Sequence, residues 1–274
     1  MNFEEFVAKP LLAREGIAIP RSEVVTTASE AIQASARLGE VVIKAQVPAG
    51  KRGKSGGVKV ATDPQTVAKI SAQMLEMTIE GHSVKRLLIE ERVDISIELY
   101  AAVITDTHSK GPLMLFSTQG GIDIEQAAAT DAISLRRMPV DIRRGFELSQ
   151  AIELLDDLSL QGAKPAVADV LVKLYRVWRS QDAELLEINP LAVTNSGKVV
   201  ALDCKFTLDD LSKPRNSDLA MLGTPDKFTA LEEQAHNLGL TFIELNGNIG
   251  IIANGAGLTM TTMDAIKHYG GDPA

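Results

Sequence analysis

The sequence holds one cysteine, Cys204, in 274 residues. An internal disulfide is thereby excluded, and a chain without bridges suits a reducing compartment. Aromatic residues make up only 4%, with a single tryptophan, Trp178, so the core is expected to be aliphatic. No run approaches the roughly 18 apolar residues that a membrane helix needs. The opening MNFEEFVAKP lacks the basic start and apolar run of a signal peptide. Nor is there a basic excess: 28 Lys and Arg stand against 36 Asp and Glu, a formal charge of −8. A general nucleic-acid or membrane-surface binder would want the opposite field. The expectation is a soluble cytoplasmic protein without nucleic-acid or membrane partners, in which any phosphate chemistry uses a local basic patch. The four histidines (His82, His108, His236, His268) are scattered, and no His/Cys cluster, Ser-His-Asp set or Cys-His set can be assembled from spacing. A covalent nucleophile within this chain is therefore not supported.

What is present starts with 45% hydrophobic content, enough for a real core in a chain longer than the usual single domain of roughly 100–200 residues. Two or three domains or lobes are expected. The most informative stretch is residues 184–206, ELLEINPLAVTNSGKVVALDCKF, in which apolar runs flank a turn of Asn, Ser and Gly. That pattern reads as a β-hairpin, because Asn and Gly tolerate positive φ. Centred on Ser196, the ladder sets Asn189 opposite Asp203 and Glu187 opposite Lys205. A side-chain period of two then gathers two carboxylates, an amide oxygen and an ammonium on one face. Magnesium is held by one or two carboxylates with other oxygens and completes its shell from substrate phosphates, a demand that Asn189 and Asp203 meet. A solvated polar face on an edge hairpin is the other reading of the same residues.

The second informative stretch is residues 40–60, in which VVIKAQV and VKVAT flank PAGKRGKSGG. Its glycines (Gly50, Gly53, Gly56, Gly57) and cations (Lys51, Arg52, Lys54) suit a loop whose amides turn inward around an anion. Strands on both sides exclude a Walker A loop, which must open a helix, and leave a hairpin flap over phosphates or a plain surface turn. Lys44 lies mid-strand, where a buried ammonium needs an anion. One such pair gains about 4 kcal/mol at roughly 4 Å and an effective dielectric near 20, before desolvation. A nucleotide phosphate is the expected partner. Glu90 and Glu98, at a strand junction, are either acceptors for ribose and adenine hydrogens or ordinary surface acids.

Along the chain, helices are expected over residues 2–15 (with Pro10 a kink or midpoint and Gly16 a stop), 29–39, 63–77, 143–155, 164–180, 226–239 and 258–269. Strands are expected near 85–90, 98–106 and 112–118 and at the end of ISLRRMPV, residues 122–129 are ambiguous, and 213–225 reads as a polar loop. Residues 249–254 followed by a Gly-Ala-Gly turn and a helix read as the first βα unit of a parallel sheet.

Taken in order, VVIKAQVPAGKRGKSGGVKV, LLIEERVDISIELY, ELLEINPLAV, ALDCKF and NGNIGIIANGAGLTMTTMDAIKHYGGDPA resemble the β subunits of succinyl-CoA synthetase (succinate–CoA ligase) over essentially the whole chain. The resemblance implies an α/β architecture: an α+β ATP-grasp fold of two lobes over residues 1–236 (20–92 the smaller lobe, 1–19 and 93–236 the larger). The start of a flavodoxin-like parallel α/β domain is expected to follow over 237–274. It implies Mg2+ and ATP/ADP, or GTP/GDP, with Lys44, Lys51, Arg52 and Gly53 at the phosphates and Glu90, Val93 and Glu98 at adenine and ribose. Asn189 and Asp203 match the magnesium positions. Glu187 matches a glutamate beside the phosphohistidine, and Asn254 a contact to the acid substrate. The phosphorylated histidine and the CoA site belong, in this family, to an α subunit partner, and the co-substrate is a small dicarboxylic acid. Lys51 stands where the family commonly has glycine, and the family continues through a whole α/β domain where this chain reaches Ala274. A shortened chain that keeps nucleotide binding is therefore expected. Malate–CoA ligase and ATP-citrate lyase share these motifs. A stand-alone ATP-grasp ligase and a non-catalytic Mg-nucleotide-binding fragment are the readings outside the subunit class.

Overall fold

The apolar spacing of the N-terminal segment forms α1 (Glu5–Arg14), which runs through Pro10 as one element. Gly16 follows it at φ +80°, in the left-handed region that glycine enters without penalty. The computed structural model describes residues 1–48, 50, 52–122, 135–160, 162–224 and 229–274. The chain forms two compact units, Met1–Pro225 and Asp226–Ala274.

Within the first unit, β1 (Ser22–Val25) leads to α2 (Ala28–Leu38). The helix is capped by Thr27 rather than Ser29: the Thr27 hydroxyl accepts from Glu30 N at 3.2 Å and the Glu30 carboxylate returns to Thr27 N at 3.2 Å. This reciprocal capping box fixes the start two residues earlier than Ser29 alone suggests. Next come β2 (Val41–Ala45), β3 (Val58–Ala61) and α3 (Pro64–Leu75), whose cap Asp63 accepts from Gln65 N and Thr66 N. A small ladder of β4 (Thr78–Ile79) with β5 (His82–Ser83) precedes β6 (Leu87–Glu91). The resulting sheet is antiparallel in the order β1-β6-β2-β3. Val41, Ile43, Ala45, Leu87 and Ile89 face Ala31, Ala34, Val67 and Met74 of the two helices in one apolar cluster. The register sets Lys44 opposite Leu88 and Val42 opposite Glu90. Since paired residues share a face and neighbours alternate, Lys44 and Glu90 lie together on the face turned away from those helices.

The second sheet takes β7 (Ile95–Asp106), β8 (Gly111–Ser117) and β9 (Arg136–Pro139) as consecutive antiparallel neighbours. The helix expected over 143–155 is reduced to α4 (Leu148–Leu154), because Gly145 at φ +81° interrupts it. The next helix, α5 (Lys164–Ser180), matches its expected span. Then β10 (Ala183–Thr194) pairs with β7 on one side and with β11 (Val199–Ala201) and β12 (Lys205–Leu208) on the other. Leu186 and Ile188 enter a core with Leu12 of α1, Leu171 and Leu174 of α5, and Phe116 and Phe206. The stretch expected as polar loop holds a short helix, α6 (Ser217–Ala220). Residues 123–134, most of the ambiguous stretch, lie outside the described residues.

In the second unit α7 (Ala230–Asn237) and α8 (Ala256–His268) form. The strand expected over 249–254 does not. Ile249 makes one isolated bridge to Pro273, and Ile252 is fully exposed. Apolar character alone does not make a strand, because its backbone groups need a neighbouring ladder. Among the described residues, no helix is long and apolar enough to cross a membrane.

Candidate functional site

The hairpin register is the one the turn dictates. Glu187 pairs with Lys205, and Leu191 with Ala201. Asn189 and Asp203 therefore face each other where β11 and β12 part, with Leu202 N donating to Pro190 O at 3.1 Å. Asn189 is fixed on both sides of its amide: Oδ1 accepts from Gly121 N at 2.7 Å and Nδ2 donates to Ile122 O at 3.0 Å. Gly120 and Gly121 allow this close approach. A Cβ on Gly120 would lie 2.3 Å from Leu99 O, and one on Gly121 the same distance from a Glu98 oxygen. The glycine pair thus links Asn189 to Glu98, which is itself exposed. Two residues before Asn189 on β10, Glu187 Oε2 accepts from Tyr100 Oη at 3.3 Å.

Across from the hairpin, β2 and β3 carry the basic loop as a flap, with Lys44 paired to Val58. Its amides do not all turn towards an anion, as the glycine content suggests. Gly56 N donates to Gly53 O at 3.1 Å and Gly57 N to Arg52 O at 2.8 Å, which closes the loop on itself. Lys51 lies outside the described residues. Arg52 turns inward and is buried, where it donates to Ala45 O at 3.2 Å and to Asp203 Oδ1 at 2.6 Å.

The sequence predicts a phosphate as the partner of Lys44. The chain itself supplies its anions: Nζ lies 2.7 Å from Glu90 Oε1 and 3.0 Å from Glu5 Oε1, and it also donates to Leu202 O. Glu90, expected as a ribose or adenine acceptor or a surface acid, is buried, with Oε1 on Lys44 and Oε2 on Lys9. Lys9 completes the set by donating to Leu202 O at 2.6 Å and standing 2.9 Å from Glu5 Oε1. Three cations (Lys9, Lys44, Arg52) thus meet three carboxylates (Glu5, Glu90, Asp203), drawn from α1, both sheets and the flap. Burial alone would raise the Glu5 carboxyl, but Lys44, Lys9 and Arg52 hold it well below its ordinary 4.5. Burial likewise works against the charge on Lys44, which Glu5, Glu90 and Asp203 hold above its ordinary value. The Cys204 thiol beside Asp203 is pushed up by burial and then by Asp203 and Glu5, which keeps it protonated and inert.

Sequence reasoning misses Glu5 and Lys9. A signal for them exists: two opposite charges four apart in a short apolar helix, on the side that Ala8 and Leu12 also bury. Val93 sits half-buried in the connection between β6 and β7. Asn254 belongs to the second unit, just before α8.

Oxygen donors are what a hard divalent cation requires. Asn189 Oδ1 and the half-exposed Asp203 carboxylate are such donors, and among the described residues no hydrogen bond reaches Asp203 Oδ2. Arg52 on Asp203 Oδ1 fills the cationic role at that carboxylate. The residues fit a magnesium ion that shares Asp203 with, or takes it over from, the flap.

Two antiparallel sheets joined by a cationic flap and an oxygen-bearing hairpin define the ATP-grasp class, and the family model described as "ATP-grasp domain" matches residues 2–193. Nucleotide binding follows from that fold. The GDP-forming succinate–CoA ligase β subunit of Thermus thermophilus is 43% identical over 275 residues, spanning 100% of this chain and 73% of that protein. The ADP-forming counterpart of Rubrobacter xylanophilus is 42% identical over 276 residues, at 100% and 72%. The chain belongs to the succinate–CoA ligase β-subunit family, and so to the ligases. Among solved structures, ATP citrate lyase from Methanothrix soehngenii, in complex with citrate and coenzyme A, aligns with 100% of this chain and 70% of its own at TM-score 0.65 and 21% identity. A dinucleotide-forming acetyl-coenzyme A synthetase of Ca. Korarchaeum cryptofilum aligns with 75% of this chain and 93% of its own at TM-score 0.63 and 18% identity. These last two share the fold.

Proposed function

We propose that the chain is the nucleotide-binding β subunit of an acid–CoA ligase of the succinyl-CoA synthetase type. It binds Mg–ATP or Mg–ADP, or the guanine nucleotides, and exchanges a phosphoryl group with a histidine on an α subunit that also binds CoA. That exchange drives acyl-CoA formation from a small dicarboxylic acid. The observation that carries the reading is that Arg52 of the flap pairs with Asp203 of the hairpin at 2.6 Å, beside Lys44, which donates to the neighbouring Leu202 O.

Phosphoryl transfer asks a protein for positioning and charge neutralisation more than for covalent help. Lys44, Lys51, Arg52 and Gly53 serve the phosphates, while Val93 and Glu98 serve the ribose and base with Glu90 acting through Lys44. Asn189 and Asp203 would hold magnesium, whose charge offsets that of the phosphate oxygens when it is bound. Glu187, held by Tyr100, stands to orient the incoming histidine, and Asn254 to contact the acid.

Calorimetric titration of Mg–ADP and Mg–GDP into the chain, beside Asp203→Ala, tests the nucleotide site. Saturable binding by the parent, weakened at least tenfold in the variant, is the expected outcome. Absence of binding to either nucleotide refutes it. With an α subunit of the family added, label from γ-phosphate-labelled nucleotide should appear as acid-labile phosphohistidine on that subunit.

A further inference from the structure

The six-charge cluster is not uniform in depth. The Glu5 side chain is 0% exposed and those of Lys44 and Arg52 are 7%, whereas Asp203 is 34% exposed. Arg52 is therefore held between Glu5 on the buried side and Asp203 on the open side, while Lys44 is paired with the buried carboxylates Glu5 and Glu90. Glu5 Oε1 reaches Lys44 at 3.0 Å and Lys9 at 2.9 Å. Oε2 lies 2.9 Å from Arg52 Nη2, within ion-pair range but without hydrogen-bond alignment. Because Glu5 sits in the first turn of α1, and Phe6 N of that turn donates to Gln46 Oε1 at 3.0 Å, the helix start is tied to the small sheet beside the flap.

We propose that Glu5 is a positioning residue: from the buried side it holds Lys44 and Arg52 where phosphate oxygens meet them. The Arg52–Asp203 pair on the open side is the one given up when a nucleotide binds. Lys9 has a subordinate part. It supplies the extra positive charge that allows Glu5 and Glu90 to be buried together, so that neither carboxylate draws Lys44 out of line. The inference rests on the reading of Lys44 and Arg52 as phosphate contacts.

Position and charge balance predict opposite signs. Removing the Glu5 charge leaves the cluster one unit more positive. If Glu5 did no more than balance charge, an anionic nucleotide would then bind more tightly. If it positions the cations, binding weakens. The experiment is calorimetric titration of the full chain with Mg–ADP or Mg–GDP, whichever binds the parent, and with the matching monophosphate. The variants are Glu5→Gln, Glu5→Asp and the double variant Glu5→Gln/Lys9→Met, each checked for its unfolding temperature, with Lys44→Met as a control.

The expected result is an at least tenfold loss of diphosphate affinity in Glu5→Gln, with the diphosphate-to-monophosphate preference falling alongside it. Glu5→Asp, which keeps the charge but withdraws it by one methylene, should lose at least threefold. The double variant, neutral again as a cluster, should stay as weak as Glu5→Gln. If Glu5→Gln does not fold, the other two variants carry the test. Tighter binding in Glu5→Gln, or recovery in the double variant, overturns the inference. Parent-like binding by all Glu5 variants beside a dead Lys44→Met overturns it while leaving the nucleotide site intact. Absence of nucleotide binding by the parent removes the site and the inference together.

Discussion

At the scale of single residues, the charges of the candidate site hold one another before they hold anything else. Glu5 is the most dependent on its neighbours: wholly buried, yet kept ionised because Lys44, Lys9 and Arg52 outweigh the burial that would protonate it. Its folded-state pKa lies below the ordinary 4.5, so the folded state binds the proton less readily than the unfolded chain does. The stability this contributes is complete above about pH 5 and is lost as pH falls below the ordinary carboxylate range. Urea unfolding followed between about pH 7 and pH 3 should show that decline. Lys9→Met should flatten it while lowering stability at pH 7 by about 3–5 kcal/mol, the usual cost of taking one partner from a buried ion pair. Equal stability of parent and variant at pH 7 would show that Glu90 and Glu5 do not depend on Lys9.

At the scale of elements, the two hairpins are legible in the sequence because turn chemistry and alternation agree. Asn195-Ser196-Gly197 fixes the register that sets Glu187 against Lys205, and the glycine loop between β2 and β3 opens as a flap between strands. The pairing of Lys44 is not legible, because the carboxylates that neutralise it come from α1 and β6, 39 and 46 positions away in the chain. The helix start at Thr27 and the missing strand at 249–254 escape for related reasons: a reciprocal cap outbids a single good residue, and an apolar run finds no neighbour. The flap also yields a prediction. A Cβ on Gly57 would lie 2.7 Å from Ile79 Cδ1 and 3.1 Å from Arg52 O. Gly57→Ala should therefore push the loop that carries Arg52. It is expected to weaken Mg–nucleotide binding severalfold in the same titration, at a cost of roughly 1–3 kcal/mol in stability.

At the scale of the whole molecule, burial is unevenly shared. Apart from Pro273, the unit Met1–Pro225 holds every buried apolar side chain described, whereas in residues 229–274 Leu240, Ile243, Leu258 and Met260 are more than half exposed. A segment with so little buried surface has little to set against its conformational entropy. Native-state hydrogen exchange should find amides of β7 and β10 protected to the level of global unfolding and those of α7 and α8 exchanging far sooner. Comparable protection in both units would contradict that. Within the larger unit, one contact joining α1, the small sheet and the hairpin differs in kind from the rest: Lys9 and Lys44 both donate to the main-chain oxygen of Leu202. An acceptor that belongs to the backbone is present whatever side chain position 202 carries. Selection acting on that position cannot delete it, so this part of the site's wiring is shielded from point mutation in a way that Glu5, Glu90 and Asp203 are not.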